Sequence, residues 1–310
     1  MADKTMITTG RLAHPINQSL IETFLPYALG NMPHSQFGEK VNKPQGEGLE
    51  VKWMRMSKPL AQTTPLSEDV DPSPILPTRA DLTAKVAEYG AQYRKSGLLD
   101  LTEVSTQSAK TMKWLSDTFA LTIDELDKQM LATSATTLTC SSGTGVATDL
   151  NATDLDTTVQ TLLNQDAEVI TPMIGASTKV GTTPIEPSYV GIAHTELWTT
   201  FKGLPGWRDV KNYGSYANVY KGERGKTDGI RWIFSSRAYK SGSTYRLPVM
   251  GQSYYGQVKI PGGEKVLGYK TPEQAGSDMD RYSVVYWKTV YVSRILDELN
   301  GITVICTRPS

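Results

Sequence analysis

Cysteine is nearly absent from this chain. Only Cys140 and Cys306 occur among 310 residues, far apart and in no CxxC pair. That excludes a disulfide framework and fits a reducing compartment. Histidine is equally sparse. His14, His34 and His194 stand at no metal-ligand spacing from another His, Cys or carboxylate. Neither sign of charge is in excess, with 32 Lys+Arg against 32 Asp+Glu and a sequence pI near 6.8. A dedicated nucleic-acid binder would carry a basic surplus, although a local basic face is compatible with a balanced total. No apolar run approaches the roughly 20 residues that span a bilayer. The first ten residues, MADKTMITTG, lack the apolar core of a secretory signal. The expectation is synthesis in a cytoplasm, with no membrane partner.

Catalytic signatures are also missing. There is no GxSxG elbow. The segment Gly222-Glu-Arg-Gly225-Lys226-Thr227 ends like a phosphate-binding loop, but Tyr220 stands where that motif needs its first glycine. An Ile-Arg-Trp-Ile-Phe run follows, which reads as a strand and not as the helix whose amides would hold phosphate. A glycine-rich turn between two strands is the better reading. Asp154 and Asp156 fall in the first turn of a predicted helix, where acidic residues favour the helix dipole. His194 precedes a helix start, where a polar residue is expected. No catalytic residue, metal or cofactor is therefore predicted, and the chain does not read as an enzyme.

What the chain does contain is a long excursion between residues 38 and 90. Two strand-like runs, 49–56 (LEVKWMRM) and 79–89 (RADLTAKVAEY), flank a polar segment with Pro59, Pro65, Pro72, Pro74 and Pro77. This predicts a hairpin with a proline-rich tip. Such excursions are uncommon in compact domains, and a two-stranded ribbon alone is marginal in water. A sister subunit is the simplest support for it. Val51, Trp53 and Arg55 alternate along the first strand and suit an interface by type. Arg79 opens the second strand. Glu68, Asp69 and Asp71 cluster at the tip, either as a solvated loop or as partners for an Arg on another subunit. Prolines lacking donors discourage uncontrolled edge pairing.

The strongest helical signal spans 105–132, with Ser105 or Thr106 as cap. Ala109, Met112, Leu115, Phe119, Ile123, Leu126 and Met130 recur at helical spacing. Trp114 and Leu121 lie off that stripe and suggest a second buried contact. A further helix is predicted over 154–165, capped by Thr153 or Asp154, with Leu155, Val159, Leu162 and Leu163 on one face. A short helix is expected over 195–202. Strands are predicted at 188–193, 229–234, 245–250, 256–260, 283–295 and 301–307. Before the hairpin, residues 1–37 read as an extended arm with a short helix at 17–24, with a disordered tail as the alternative. Tyrosine is frequent (15). Tyr213, Tyr216, Tyr220, Tyr254 and Tyr255 fall in Gly-rich loops that resemble interface-forming surface, because Tyr brings area at low entropy cost; ordinary loop packing is the equal alternative.

The order of these features resembles a known family. The arm and hairpin, with TTPLSEDVDPS (63–73) and AKVAEYG (84–90), lead into the long helix. TDLDTTVQTLLNQDAEVITP (153–172), YVGIAHTELW (189–198), YKGERGKTDGIRWIFSS (220–236) and GSDMDRYSVVYWK (276–288) follow. The chain is similar to tailed-bacteriophage major capsid proteins, of the coliphage N-four-type branch. The likeness covers about 38 to 290; the arm and 237–275 match poorly. It implies an α+β fold of the Hong Kong 97 type. Residues 1–37 would be the N-terminal arm and 38–95 the extended E-loop. Residues 96–145 and 283–310 would form a peripheral domain around the spine helix, and 146–282 an axial domain. The implied function is a structural shell protein that self-assembles as hexamers and pentamers around double-stranded DNA. Portal, scaffolding and decoration proteins would be further partners, and packaged DNA would be held without sequence specificity. The virion would be its location, after assembly in the host bacterial cytoplasm. An encapsulin-like cellular compartment of the same fold is the alternative, against which the long arm argues.

Overall fold

A computed structural model of the chain describes residues 33–59, 61–63, 65–66, 74–97, 106–140, 146–171, 186–213, 219–262, 265–276, 279 and 281–308. The arm to residue 32, with the helix expected over 17–24, lies outside these residues. So do Glu68, Asp69, Asp71 and Tyr216.

The chain opens with β1 (Glu39–Asn42), β2 (Glu50–Met56), β3 (Arg79–Lys85) and β4 (Ala87–Ser96). The run expected as one strand over 79–89 is thus two. Val86 divides it, buried and donating its N–H to Leu49 O at 3.0 Å. Before Val86, β3 pairs with β2 in an isolated ribbon, from Glu50↔Lys85 to Met56↔Arg79. After it, β4 joins another sheet.

Helix α1 (Thr106–Ala132) matches its expected span and is ~40 Å long at 1.5 Å per residue. Leu115, Phe119 and Ile123 are buried along the expected stripe. Trp114 is 57% exposed, so among the described residues it makes no second buried contact. After β5 (Thr137–Thr139) comes α2 (Ala152–Asn164). Its cap is Asn151 and not Thr153 or Asp154: the Asn151 side-chain oxygen accepts the Asp154 N–H at 2.8 Å. Leu163 is exposed, and Thr158 takes the buried position, returning its hydroxyl to Asp154 O at 2.8 Å.

β6 (Tyr189–His194) ends at a short 3-10 turn whose Glu196 N–H donates to His194 Nδ1 at 3.2 Å, and α3 (Trp198–Gly203) continues from it. The remaining strands are β7 (Arg208–Asp209), β8 (Glu223–Thr227), β9 (Ile230–Ser235), β10 (Lys240–Ser241), β11 (Thr244–Met250), β12 (Tyr255–Lys259), β13 (Lys265–Lys270), β14 (Tyr282–Ile295) and β15 (Gly301–Thr307). The phosphate-loop look-alike is strand β8 itself. The turn lies after it, at Asp228-Gly229, where Gly229 takes φ of 79°. A strand and no helix follows.

Two sheets organise the body. β14 is the long central strand of the first. One edge pairs β4 from Tyr282↔Ser96 to Tyr291↔Ala87. The other edge pairs β12 at Tyr291–Ile295 and β13 at Val284–Lys288, and β1 runs parallel to β12. The second sheet has the order β5-β15-β11-β6-β9-β8-β7, with β10 on β11. Sheet membership cuts across the expected segment boundaries. β12 and β13, expected with the axial segment, pair with β14, because β14 is long enough to carry both along one edge. β15, expected beside β14, instead pairs with β11 over seven residues.

The apolar cores follow the sheets. Leu115, Phe119 and Ile123 of α1 pack on Val285, Trp287 and Tyr291 of β14, with the Phe119 and Trp287 rings edge to face at 5.2 Å. α2 and α3 cover the second sheet through Leu155, Leu162 and Phe201 against Trp232, Leu247 and Val304. A third cluster, with Leu131, Val190, Ile233, Met250 and Tyr255, joins the C-terminal end of α1 to both sheets. Close approach explains Gly191 in β6: a Cβ there would lie 2.5 Å from the Trp232 ring.

Candidate assembly interface

The β2–β3 ribbon stands off this body. Strand alternation gives it two faces. Val51, Trp53 and Arg55 share one face with Ala84, Leu82 and Ala80 opposite them. That face is turned toward its own chain across a cleft of about 560 Å³, lined by Arg55, Leu82 and Ala84 on the ribbon and Met130, Arg294 and Leu296 on the body. Arg55 Nη1 reaches Asp297 Oδ1 at 2.6 Å, Lys58 Nζ reaches Asp166 Oδ2 at 3.4 Å, and Arg294 donates to Thr83 O. These contacts sit at the solvent-exposed rim, where an ion pair contributes about 0–1 kcal/mol. The ribbon is therefore lightly held.

The opposite face carries Met54 and Met56, 61% and 66% exposed. Between them and beside them, Lys52 Nζ and Arg79 Nε flank Asp81 at 2.7 and 3.0 Å. These two cations, Lys52 first, hold the Asp81 carboxyl below its ordinary value. Leu49, Leu66, Ile75 and Leu76 are exposed as well, Leu76 at 85%. So the expected residues divide: Val51, Trp53 and Arg55 face inward, and Arg79 faces outward. Sequence reasoning missed the methionines. The signal was present, since LEVKWMRM places apolar residues on both sides of one strand.

Within the tyrosine-rich stretch, Tyr213 and Tyr220 are engaged by their own chain. Tyr213 is buried, and its hydroxyl donates to Glu223 Oε1 at 2.9 Å. The Tyr220 N–H donates to Glu223 Oε2 at 3.0 Å, while Arg231 grips the same carboxylate at 2.8 and 2.6 Å. Glu223 and Arg231 side chains are both fully buried. Tyr220 lies 4.9 Å under the Arg231 guanidinium and 5.1 Å from the Phe37 ring. Burial, reinforced by Glu223, pushes the Tyr213 phenol well above its usual range. Tyr213 and Tyr220 are thus anchored to their own chain on either side of the 214–219 segment, leaving Tyr213 no free surface for a neighbour.

The base of the arm is fixed as firmly. His34 donates its N–H to Asp124 Oδ1 at 3.0 Å, with its Nδ1 at 2.8 Å from the same oxygen. Tyr255 donates to His34 O. Next to it, Asp127 accepts from Tyr291 Oη at 2.6 Å and Gln257 Nε2 at 2.8 Å. Burial raises the Asp127 carboxyl to about 6 despite these donors. His34 is therefore a structural tie between arm and helix α1, which its position beside a proline did not reveal. Among the described residues no group of three His, Cys, Asp or Glu is placed to hold a metal. No helix among them is long and apolar enough to cross a membrane.

This arrangement has counterparts. No family model matches the chain, and no curated protein matches it in sequence. Solved structures do. The capsid of Ralstonia phage GP4 matches at a TM-score of 0.66 and 14% identity, over 88% of this chain and 87% of that one. The mature capsid of bacteriophage PhiM1 matches at 0.60 and 10%, over 90% and 88%. The head of Helicobacter pylori bacteriophage KHP40 matches at 0.54 and 10%, over 90% and 91%. The chain has the Hong Kong 97-type capsid fold. Identities this low carry the fold alone. Coverage near nine-tenths on both sides means the likeness spans most of each chain and not one motif.

Proposed function

We propose that this chain is the major capsid protein of a tailed bacteriophage. Copies associate as pentamers and hexamers into an icosahedral shell around double-stranded DNA, and the protein acts structurally, without catalysis. The observation that carries this is the near-complete mutual coverage with the Ralstonia phage GP4 capsid. The order of its sequence motifs supports the finer placement in the N-four-type branch. On this reading residues 1–37 are the arm and the β2–β3 ribbon is the E-loop. The α1–β14 layer is the peripheral domain and the second sheet with α2 and α3 the axial domain. Portal, scaffolding and decoration proteins are the further partners, and the assembled location is the virion.

The physics of the ribbon agrees. Six of its apolar side chains, Leu49, Met54, Met56, Leu66, Ile75 and Leu76, are more than half exposed. Covering each one would stabilise the assembly by about 1–2 kcal/mol, which the lone chain does not obtain. Deleting residues 60–76 tests the proposal. The expected outcome is soluble subunits with the wild-type melting temperature that form no particles under electron microscopy. Closed shells of normal diameter from that variant would refute the role assigned to the ribbon.

A further inference from the structure

The chain has only two cysteines, and the fold brings them to one rung of one sheet. β5 and β15 run parallel in the register Thr137↔Thr303, Leu138↔Val304 and Thr139↔Ile305. One step further, Cys140 stands opposite Cys306. The Cys140 N–H donates to Ile305 O at 2.9 Å, the bond that a parallel ladder makes for this pair. Alternation puts the rung on the same face as Leu138 and Val304. Both cysteines accordingly lie fully buried in one apolar cluster with Leu150, Leu155 and Val304. Both are free thiols.

Neighbouring strands lie ~4.8 Å apart. A disulfide joins Cα atoms ~4.4–6.8 Å apart, with Cβ atoms at about 3.5–4.5 Å. Strand spacing meets the first condition and misses the second by roughly a few tenths of an ångström. β5 is able to give that much, because it is three residues long and, among the described residues, paired on one side only. Yet Cys140 is held in place. Its carbonyl accepts from the Thr148 N–H and from the Thr148 hydroxyl at 2.8 Å. The surroundings favour the reduced pair at neutral pH. Burial, then the Asp154 carboxylate, pushes the Cys140 thiol above its ordinary range, and burial pushes Cys306 up to about 12. The attacking thiolate is therefore scarce, and oxidation is slow.

We propose that Cys140 and Cys306 are a latent disulfide, which closes within one chain when the protein meets an oxidant and staples β5, the strand leaving α1, to β15. A peroxide supplies the chemistry. One sulfur, as thiolate, attacks a peroxide oxygen and breaks the O–O bond, giving a sulfenic acid and one water. The second sulfur attacks the sulfenic sulfur, forms the S–S bond and expels hydroxide, which leaves as water with the remaining thiol proton. Two thiols give up two electrons, and one hydrogen peroxide takes them to become two waters. On the shell reading, departure from a reducing cytoplasm is the occasion; the bridge itself does not depend on that reading.

The test uses dilute, full-length subunits treated with hydrogen peroxide and then quenched with N-ethylmaleimide in urea. Both thiols are expected to disappear together, and mass spectrometry is expected to find a Cys140–Cys306 linked peptide with no covalent dimer. The bridge closes a loop of more than half the chain, so the urea midpoint should rise by about 1 M and fall back on reduction. Cys306→Ser abolishes the link and the rise. A second arm does not need peroxide to enter the core. The chain is unfolded in urea and returned to native conditions in a glutathione redox buffer, where the bridged fraction is expected to exceed that of chain kept in urea about tenfold or more. Where burial excludes peroxide, this arm decides. The inference is overturned if refolded chain retains two free or glutathione-capped thiols, or if only interchain links form. It is equally overturned if the bridged chain unfolds at or below the midpoint of the reduced one, which would make the cysteines packing residues alone. Failure to form particles would sink the shell reading and leave these outcomes untouched, since all are read on unassembled subunits.

Discussion

Replacing Arg231 by Met is the most demanding test of the internal account. Arg231 and Glu223 are fully buried, and the guanidinium holds the carboxylate through two bonds of 2.8 and 2.6 Å. Methionine fills most of the vacated volume, so the cavity cost is small. What is lost is the compensation for a buried negative charge, leaving Glu223 with only the Tyr213 hydroxyl and the Tyr220 N–H. Breaking one side of a buried pair typically costs about 3–5 kcal/mol. A domain is stable by only about 5–15 kcal/mol, so the variant loses a large share of it. Urea unfolding of dilute, unassembled subunits reads this directly. With a slope of roughly 3 kcal/mol/M, the midpoint is expected to fall by more than about 1 M. Replacing both partners, Arg231→Met with Glu223→Leu, recovers much of the loss, because removing both charges also removes both desolvation costs. Arg231→Lys falls between, since an ammonium cannot grip two oxygens at once. A single Arg231→Met variant within about 1 kcal/mol of wild type would show that the pair does not anchor the Tyr213–Glu223 region as argued.

Two further outcomes follow from the geometry. Trp53 is half-buried on the ribbon face that overlooks the cleft, and covering the rest of its ring against a neighbour is worth ~1–2 kcal/mol. Trp53→Ala is therefore expected to lower particle yield well beyond its effect on subunit melting, and an equal loss in both would count against an interface role. Asp127 gives a pH signature. Its folded carboxyl titrates at about 6, above the ordinary 3.8, so the native state favours the protonated acid. Its contribution is complete below about pH 3.8 and is lost as pH rises through 6. Relative to Asp127→Asn, wild type should lose on the order of 2 kcal/mol between about pH 4 and 7, read by paired urea curves; a difference that stays flat across that range contradicts the burial argument.

Much of the architecture was legible because it is written in periodicity. The 105–132 stripe gave α1 within one residue, and the β-branched run 283–295 gave β14. What escaped was decided by partners distant in sequence. Val86 looks like any strand residue until Leu49 is brought against it, so the break between β3 and β4 has no local signal. β13 is short and Gly-bearing, and is a strand only because β14 offers it an edge. Asn151 outcompeted Thr153 as a cap because its side chain reaches an amide three residues on, a rule that could have been applied. The site was half legible. Alternation placed Val51, Trp53 and Arg55 together but could not say which way their face turns. Tyr213 and Tyr220 read as surface because their loop is polar. Glu223, the residue whose carboxylate anchors them, lies in a run that imitates a nucleotide loop.

The division of stiffness within the molecule is itself an argument about assembly. Helix α1 packs on the first sheet through Leu115, Phe119 and Ile123 and enters a second apolar cluster, shared with the other sheet, at Leu131, so one helix ties the two sheets together. Distorting that body would open close-packed contacts at about 1 kcal/mol or more per displaced side chain. The ribbon is attached at its base, where both strands leave the body through Leu49 and Val86 and Lys43 donates to Glu50 O, and otherwise by exposed rim contacts, whose ion pairs are worth about 0–1 kcal/mol each. Re-aiming it costs far less than bending the body. A shell built from one polypeptide must place it in surroundings that are not identical, around five-fold and six-fold positions. On the proposed shell reading, a rigid body with a weakly tethered, apolar lever would meet that demand: the lever would absorb the difference in angle, and its exposed Met54, Met56 and Leu76 would supply affinity wherever it lands.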